Sequence, residues 1–180
     1  MLKMPPNNGA QGFTLIELMI GIVIMGIVLA LALPSYKAFI QNTLIRNAAE
    51  SILNGLQLAR LEAVRHNADV QFILGAASSW TVGCVTPTAT CPASIQSRAT
   101  GEGSSASIIV TPLPAASTTI VFNNFGTVKP NPVPATQLDV DVDPAVLSAA
   151  ESRELRITLG VGGNARMCDP NLPASDPRAC

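Results

Sequence analysis

The stretch "GFTLIELMIGIVIMGIVLALALP", residues 12–34, decides most of what can be read from this chain. Phe13 to Leu33 contains no proline and one charge, the carboxylate of Glu17. At a rise of about 1.5 Å per residue such a run makes a helix of roughly 31 Å, about the thickness of a bilayer's hydrocarbon. No small-x-small cleavage site follows the run, and Pro34-Ser35-Tyr36 leads into further helix-like sequence. The run therefore reads as a retained span, with Pro34 as a kink, and not as a secretory signal peptide.

Glu17 argues against a plain anchor. An ionised carboxylate within a membrane segment costs on the order of a few kcal/mol unless it has a partner. If the chain is cut between Gly12 and Phe13, a new α-amino group arises one helical turn from Glu17. The two charges can then pair within the chain or, with a one-step stagger, between neighbouring chains. Inside a bundle of such helices that pairing offsets the desolvation of both groups and fixes the axial register.

"GFTLIEL" with the apolar run and Pro34 in this order resembles the class III signal of type IV pilins and type II secretion pseudopilins. The resemblance implies that residues 1–12 are a prepilin leader, cleaved after Gly12 by a prepilin peptidase that also N-methylates Phe13. It implies a transmembrane and filament-core helix over 13–33. It also implies partners: other pilins or pseudopilins, the peptidase, and an inner-membrane assembly platform. The leader departs from the family pattern, with Lys3 as its one charge and Gln11 where a basic residue is common.

Lys37 and Arg46 follow the span, so charge bias does not orient it. The cysteines do. Four are present, as two close pairs, Cys84/Cys91 and Cys168/Cys180. Paired cysteines in a small domain point to an oxidising compartment, which puts the body in the periplasm or at the cell surface. Of the three possible pairings the short separations favour Cys84–Cys91 and Cys168–Cys180. With one histidine, His66, and no C-x-x-C, zinc has no ligand set.

The 180 residues are 48% apolar, enough for one domain with a core, and only 13% charged. A formal net charge of −1 gives no global attraction to nucleic acid or acidic lipid. After Pro34 the pattern turns amphipathic: Ile45, Ala48, Ala49, Ile52, Leu53, Leu56, Ala59 and Ala63 recur at three- and four-residue steps. This predicts a core-facing helix over 34–67, fading near Asn67-Ala68, with Gly55 as a point of bending.

"LNGLQLARLEAVRHNADVQF", residues 53–72, is similar to the helix-to-strand passage of the GspH/FimT family of minor pilins and pseudopilins. "SSWTVGC" (78–84), "IVFNNFGTV" (120–128) and the glycine-rich end with its cysteine pair fit the same family. Strands are expected at Val70–Leu74, Trp80–Val85, Ser107–Thr111, Thr118–Phe122, Leu155–Leu159 and Ala165–Cys168. Ile95–Ser107 reads as a loop without a phosphate-binding pattern. Lys129–Ala145 holds four prolines. Its alternating Asp139, Asp141 and Asp143 lack the glycine and glutamate of a calcium loop, and read as an exposed acidic loop or edge strand. The fold expected is α+β: the pilin-like α/β roll that the resemblance implies, one long helix packed on an antiparallel sheet. Residues 34–180 form its extracytoplasmic domain, with the sheet body over 68–180.

Catalytic sets fail on inventory. His66 stands without a metal or triad partner and reads as solvated, the serines lie in low-complexity loops, and no carboxylate pair is placed for hydrolysis. No enzyme, cofactor or metal is expected. In the FimT branch of the family a C-terminal G-R-x-R arrangement goes with DNA binding in natural transformation. Here Gly163-Asn164-Ala165-Arg166 keeps one of those arginines, and Arg178 is a second cation near the cysteine loop. The leading expectation is a structural subunit of a type IV pilus or type II secretion filament. Its rivals are a receptor for double-stranded DNA acting through Arg166 and Arg178, and an adhesin-like surface binder.

Overall fold

The computed structural model describes residues 12–180. They fall into two compact units that divide between Lys37 and Ala38. Helix α1, Leu15–His66, runs unbroken through that boundary and through Pro34.

In the N-terminal unit every large apolar side chain from Leu15 to Leu33 is between 52% and 79% exposed. Gly21 and Gly26, which cost about 1 kcal/mol each in a water-exposed helix, do not interrupt it. In hydrocarbon a helix would be the way a single segment satisfies its own backbone, which would outweigh such local preferences.

The second unit is built on the remainder of α1. Ile45, Ala48, Ala49, Ile52, Leu56, Ala59 and Ala63, seven of the eight residues of the predicted stripe, are at most 1% exposed, and Leu53 packs beside them partly buried. Two four-stranded antiparallel sheets complete the unit, where the sequence suggested one. The first has the order β3-β2-β1-β5, with β1 Val70–Leu74, β2 Trp80–Cys84, β3 Gln96–Arg98 and β5 Thr119–Phe122. The second has the order β4-β6-β7-β8, with β4 Ile108–Leu113, β6 Gln137–Val142, β7 Leu155–Leu159 and β8 Ala165–Cys168. Val70, Phe72, Val82, Ile120 and Phe122 from the first sheet, and Ile108, Val140 and Ile157 from the second, lie in the core with α1.

Three local expectations are corrected, and one residue gains a role its local reading did not include. Gly55, expected as a point of bending, has a packing role: a β-carbon there would lie 2.8 Å from the Phe72 ring and 3.1 Å from the Trp80 indole. The missing side chain seats the stacked pair, whose ring centroids are 5.9 Å apart. Trp80 Nε1 then donates to buried Ser51 Oγ at 2.8 Å, so the indole's one polar atom is satisfied. First among the corrections, residues 137–142 are neither an acidic loop nor an edge strand. β6 sits between β4 and β7, burying Leu138, Val140 and Val142 and turning Asp139 and Asp141 outward. Arg156 on β7 meets the Asp139 carboxylate at 2.6 and 3.2 Å, and Asp141 accepts from Ser152 Oγ. Asp139 and Asp141 are strand residues with partners, and Asp143 lies just past the strand, where its carboxylate accepts from Ala145 N–H.

Second, Gln96–Arg98 within the expected loop pairs with β2 as a short polar edge strand. It carries no apolar alternation, so backbone pairing alone reveals it. Third, His66 is not solvated: its side chain is 18% exposed and its Nε2 lies 3.0 Å from Glu62 Oε2, one helical turn back.

Candidate functional site

Two places carry the residues singled out in the sequence, the start of α1 and the C-terminal loop. At the first, Gly12 and Phe13 precede the helix, and Phe13 is 91% exposed. The rest of the expected leader, residues 1–11, lies outside the described residues. Thr14 N–H and Thr14 Oγ1–H both donate to Glu17 Oε2, at 2.9 and 2.8 Å, while Glu17 N–H reaches Thr14 Oγ1 at 3.3 Å. This is a reciprocal capping box: Thr-x-x-Glu closes two of the amides that a helix start leaves open. The Glu17 charge also lies at the positive end of the helix dipole. Both bonds use Oε2, and among the described residues no donor meets Oε1. Sequence reasoning found Glu17 and passed over Thr14, although T-x-x-E before an apolar run was legible as a helix start.

At the second place, disulfides join Cys168 to Cys180 and, elsewhere in the body, Cys84 to Cys91, with Cα–Cα distances of 5.1 and 5.9 Å. Residues 169–180 fold back along β8, with Asp169 N–H donating to the Arg178 carbonyl at 2.8 Å. Arg166 lies on β8, and its Nη2 donates to the Ala179 carbonyl at 2.7 Å and the Pro177 carbonyl at 3.4 Å. Arg178 forms a two-point pair with Asp176, at 2.9 and 3.2 Å. That pairing holds the Asp176 carboxyl below the usual range and raises the Arg178 guanidinium. The loop does bring the two arginines near one another. Arg166 faces carbonyls of its own tail, and Arg178 faces a carboxylate two residues away.

Sequence reasoning also missed a group at the end of α1. Arg60 Nε donates to the Gly126 carbonyl at 3.1 Å, and Val128 N–H donates to the Val161 carbonyl at 3.0 Å. The turn after β5 and the turn between β7 and β8 are thus tied together over Arg60. Gly126 and Gly163 both have positive φ, and a β-carbon at Gly163 would collide with the Gly126 carbonyl oxygen. The signal available was "NNFG" and "GVGG" as turn sequences; their meeting is a tertiary fact. Among the described residues no three His, Cys, Asp or Glu side chains form a metal-binding group.

No curated protein sequence matches the chain significantly. Among solved structures it is similar to the type IV minor pilin FimU of Pseudomonas aeruginosa in two crystal forms. One is 19% identical, covering 75% of this chain and 98% of that one, with a TM-score of 0.46. The other is 19% identical, covering 76% and 94%, with a TM-score of 0.48. It is also similar to the minor pseudopilin EpsH of the Vibrio cholerae type 2 secretion system, 15% identical over 72% of this chain and 99% of that one, with a TM-score of 0.45. The model of the prokaryotic N-terminal methylation motif matches residues 7–33, and the model of the type II transport protein GspH matches residues 48–163. The second match spans more than half of the sequence, so the chain belongs to the GspH family and carries the N-terminal methylation motif.

Proposed function

We propose that this protein is a structural subunit, a minor pilin or pseudopilin, which a prepilin peptidase cleaves after Gly12 and methylates at Phe13. One observation carries the reading: directly after Gly12-Phe13, an apolar helix begins with its lone carboxylate held by a capping box and its other side chains bare. A helix with no core of its own needs lipid or other helices around it. Residues 13–33 fill both roles in turn, as membrane span and then as filament core, while 34–180 stands outside the inner membrane as the folded body. The two disulfides support that location.

Glu17 sets the register. Thr14 keeps its carboxylate satisfied at Oε2, and the open Oε1 is available to the methylated amine of a neighbouring subunit's Phe13. The assembly platform and the other pilins or pseudopilins are the partners this requires. The reading as a DNA receptor is the weaker one, because phosphate binding draws on several free cations acting together. Here Arg166 and Arg178 both spend donors inside their own loop.

Mass spectrometry of membrane-extracted protein tests the proposal. The expected species begins at N-methylated Phe13. A chain that keeps residues 1–12 in cells with an active peptidase would remove the pilin reading.

A further inference from the structure

The two most exposed large apolar side chains of residues 38–180 are Val161, at 87%, and Phe125, at 78%. They come from turns of different sheets, and those turns are tied together: Val128 N–H to the Val161 carbonyl, and Arg60 Nε to the Gly126 carbonyl. A β-carbon at Gly126 would lie 3.2 Å from Val64, so the helix surface joins the same neighbourhood. There α1 leaves Leu61 67% exposed and Val64 53% exposed, three residues apart and so on one face.

The patch is held rigidly. Asn123 Oδ1 accepts from Phe125 N–H at 2.9 Å and Thr127 N–H at 3.1 Å, and Gly126 N–H donates to the Asn123 carbonyl at 2.8 Å. An aromatic carried on a braced turn loses little backbone freedom on binding, which suits an interface anchor.

Its rim narrows the class of partner. Asn124 Nδ2 donates to Asn67 Oδ1, Lys129 pairs with Asp69 at 2.8 Å, Arg65 with Glu62 at 3.3 Å, and Arg60 is spent on Gly126. Asp69 and Glu62 balance Lys129 and Arg65, which leaves Arg60 as the one uncompensated charge among these rim residues, too small a positive field for a polyanion or an anionic lipid surface. The patch is complementary to an uncharged apolar protein face. Four side chains exposed to this degree make a patch of about 300–600 Å², the upper range for a monomer. A self-standing complex buries about 800 Å² on each partner. The contact is therefore too small to hold a free partner and suffices for one already held by a second attachment.

We propose that Phe125, Val161, Leu61 and Val64 form a docking surface for the body of a neighbouring pilin-type subunit, engaged when helix packing has brought that subunit alongside. This rests on the filament reading above and adds to it where the body is touched and by what chemistry.

The test uses the full chain in cells that assemble the filament. A photo-crosslinking amino acid is placed at Phe125, at Val161, or at the control Leu113, an exposed apolar residue of β4 on the far edge of the second sheet. Expected are products from the first two positions with a protein carrying its own N-terminal methylation motif, about tenfold above the control. They should disappear with Glu17→Ala. The double variant Phe125→Ser, Val161→Ser should enter filaments about tenfold less than wild type at equal cellular level and with both disulfides formed. Wild-type entry by that variant, or products equal to the control or formed only with lipid, overturns the docking surface and leaves the filament reading intact. If the wild type itself never enters a filament, the filament reading falls and this surface with it.

Discussion

The two halves of α1 both carry many large apolar residues and behave in opposite ways. From Leu15 to Leu33 large apolar residues stand on all sides, and each is at least half exposed. From Ala38 to His66 one stripe faces the core, with Ile45, Ala49 and Ile52 fully buried, while Phe39, Leu61 and Val64 stay exposed off it. Pattern separates them. A one-sided stripe can be covered by sheets of the same chain, whereas an all-round apolar surface has to be covered by lipid or by other helices. The same chain thus contains one half that stabilises its own fold and one half whose stability belongs to its surroundings.

The contrast is broken most directly by truncating one large apolar residue of the core that covers the second half of α1 and one of the first half itself. Phe72→Ala, which empties the ring position against Gly55 and Trp80, is expected to cost about 3–5 kcal/mol of body stability. Ile22→Ala is expected to leave body unfolding within about 0.5 kcal/mol of wild type. Denaturant unfolding of the detergent-solubilised full chain, followed by Trp80 fluorescence, checks both. Equal losses would mean that the first half contributes to the folded core.

Next in size is the tail. Replacing Cys168 and Cys180 by serine together opens a loop that spans 12 positions and should lower body stability by about 2–3 kcal/mol, read in the same unfolding experiment. Arg166 should keep part of the tail in place through the Ala179 carbonyl, so hydrogen exchange at Asp169 N–H should stay slower than in the triple variant that adds Arg166→Ala. Equal exchange in the two variants would show that the disulfide alone holds the tail.

Glu17→Ala sharpens the other side of the comparison. It should leave body unfolding and membrane retention unchanged and reduce filament entry by about tenfold or more, because the register pairing is lost while the apolar face remains. Quantitative blotting of sheared filaments against membranes measures this. Undiminished entry would refute the register role.

The smallest effect is a pH term confined to the body. Burial, with Asp139 and Asp141 nearby, pushes the Glu154 carboxyl above its usual range, against the pull of Arg156. A raised folded pKa means the folded state holds that proton more tightly than the unfolded chain. The stabilising contribution is present below the ordinary carboxylate range and is lost as pH rises through the folded pKa. Glu154→Gln should therefore show a smaller decline in Tm than wild type between about pH 4 and 7, a difference within about 0.5 kcal/mol. A steeper decline in the variant would reverse the assignment.

Short-range chemistry was legible in the residues themselves. The apolar run, the single carboxylate, the stripe from Ile45 to Ala63 and the alternation of Val70–Leu74 each depend on neighbours within a few positions, so the chain states them directly. Even Thr14 belonged to this class, since Thr-x-x-Glu is a local pattern. β6 marks the boundary. "LDVDV" alternates as a strand should, but the prolines around it left loop and edge strand both open, and nothing local says that it lies between β4 and β7.

What tertiary structure alone decided depends on residues far apart in sequence arriving at one place. Gly55 reads locally as a flexible point and proves to be the seat of two rings, because β1 and β2 bring Phe72 and Trp80 over it. Arg166 reads locally as a free cation and proves to be a fastener, because the tail returns to it. Phe125 and Val161 are 36 positions apart, and only the bonds tying their turns make them one surface. Sequence determined which segments had to be buried, spanned or exposed, since that follows from periodicity and solvation. Which buried residues met, and which exposed ones became neighbours, followed from the pairing of strands, a choice among long-range contacts that no local pattern encodes.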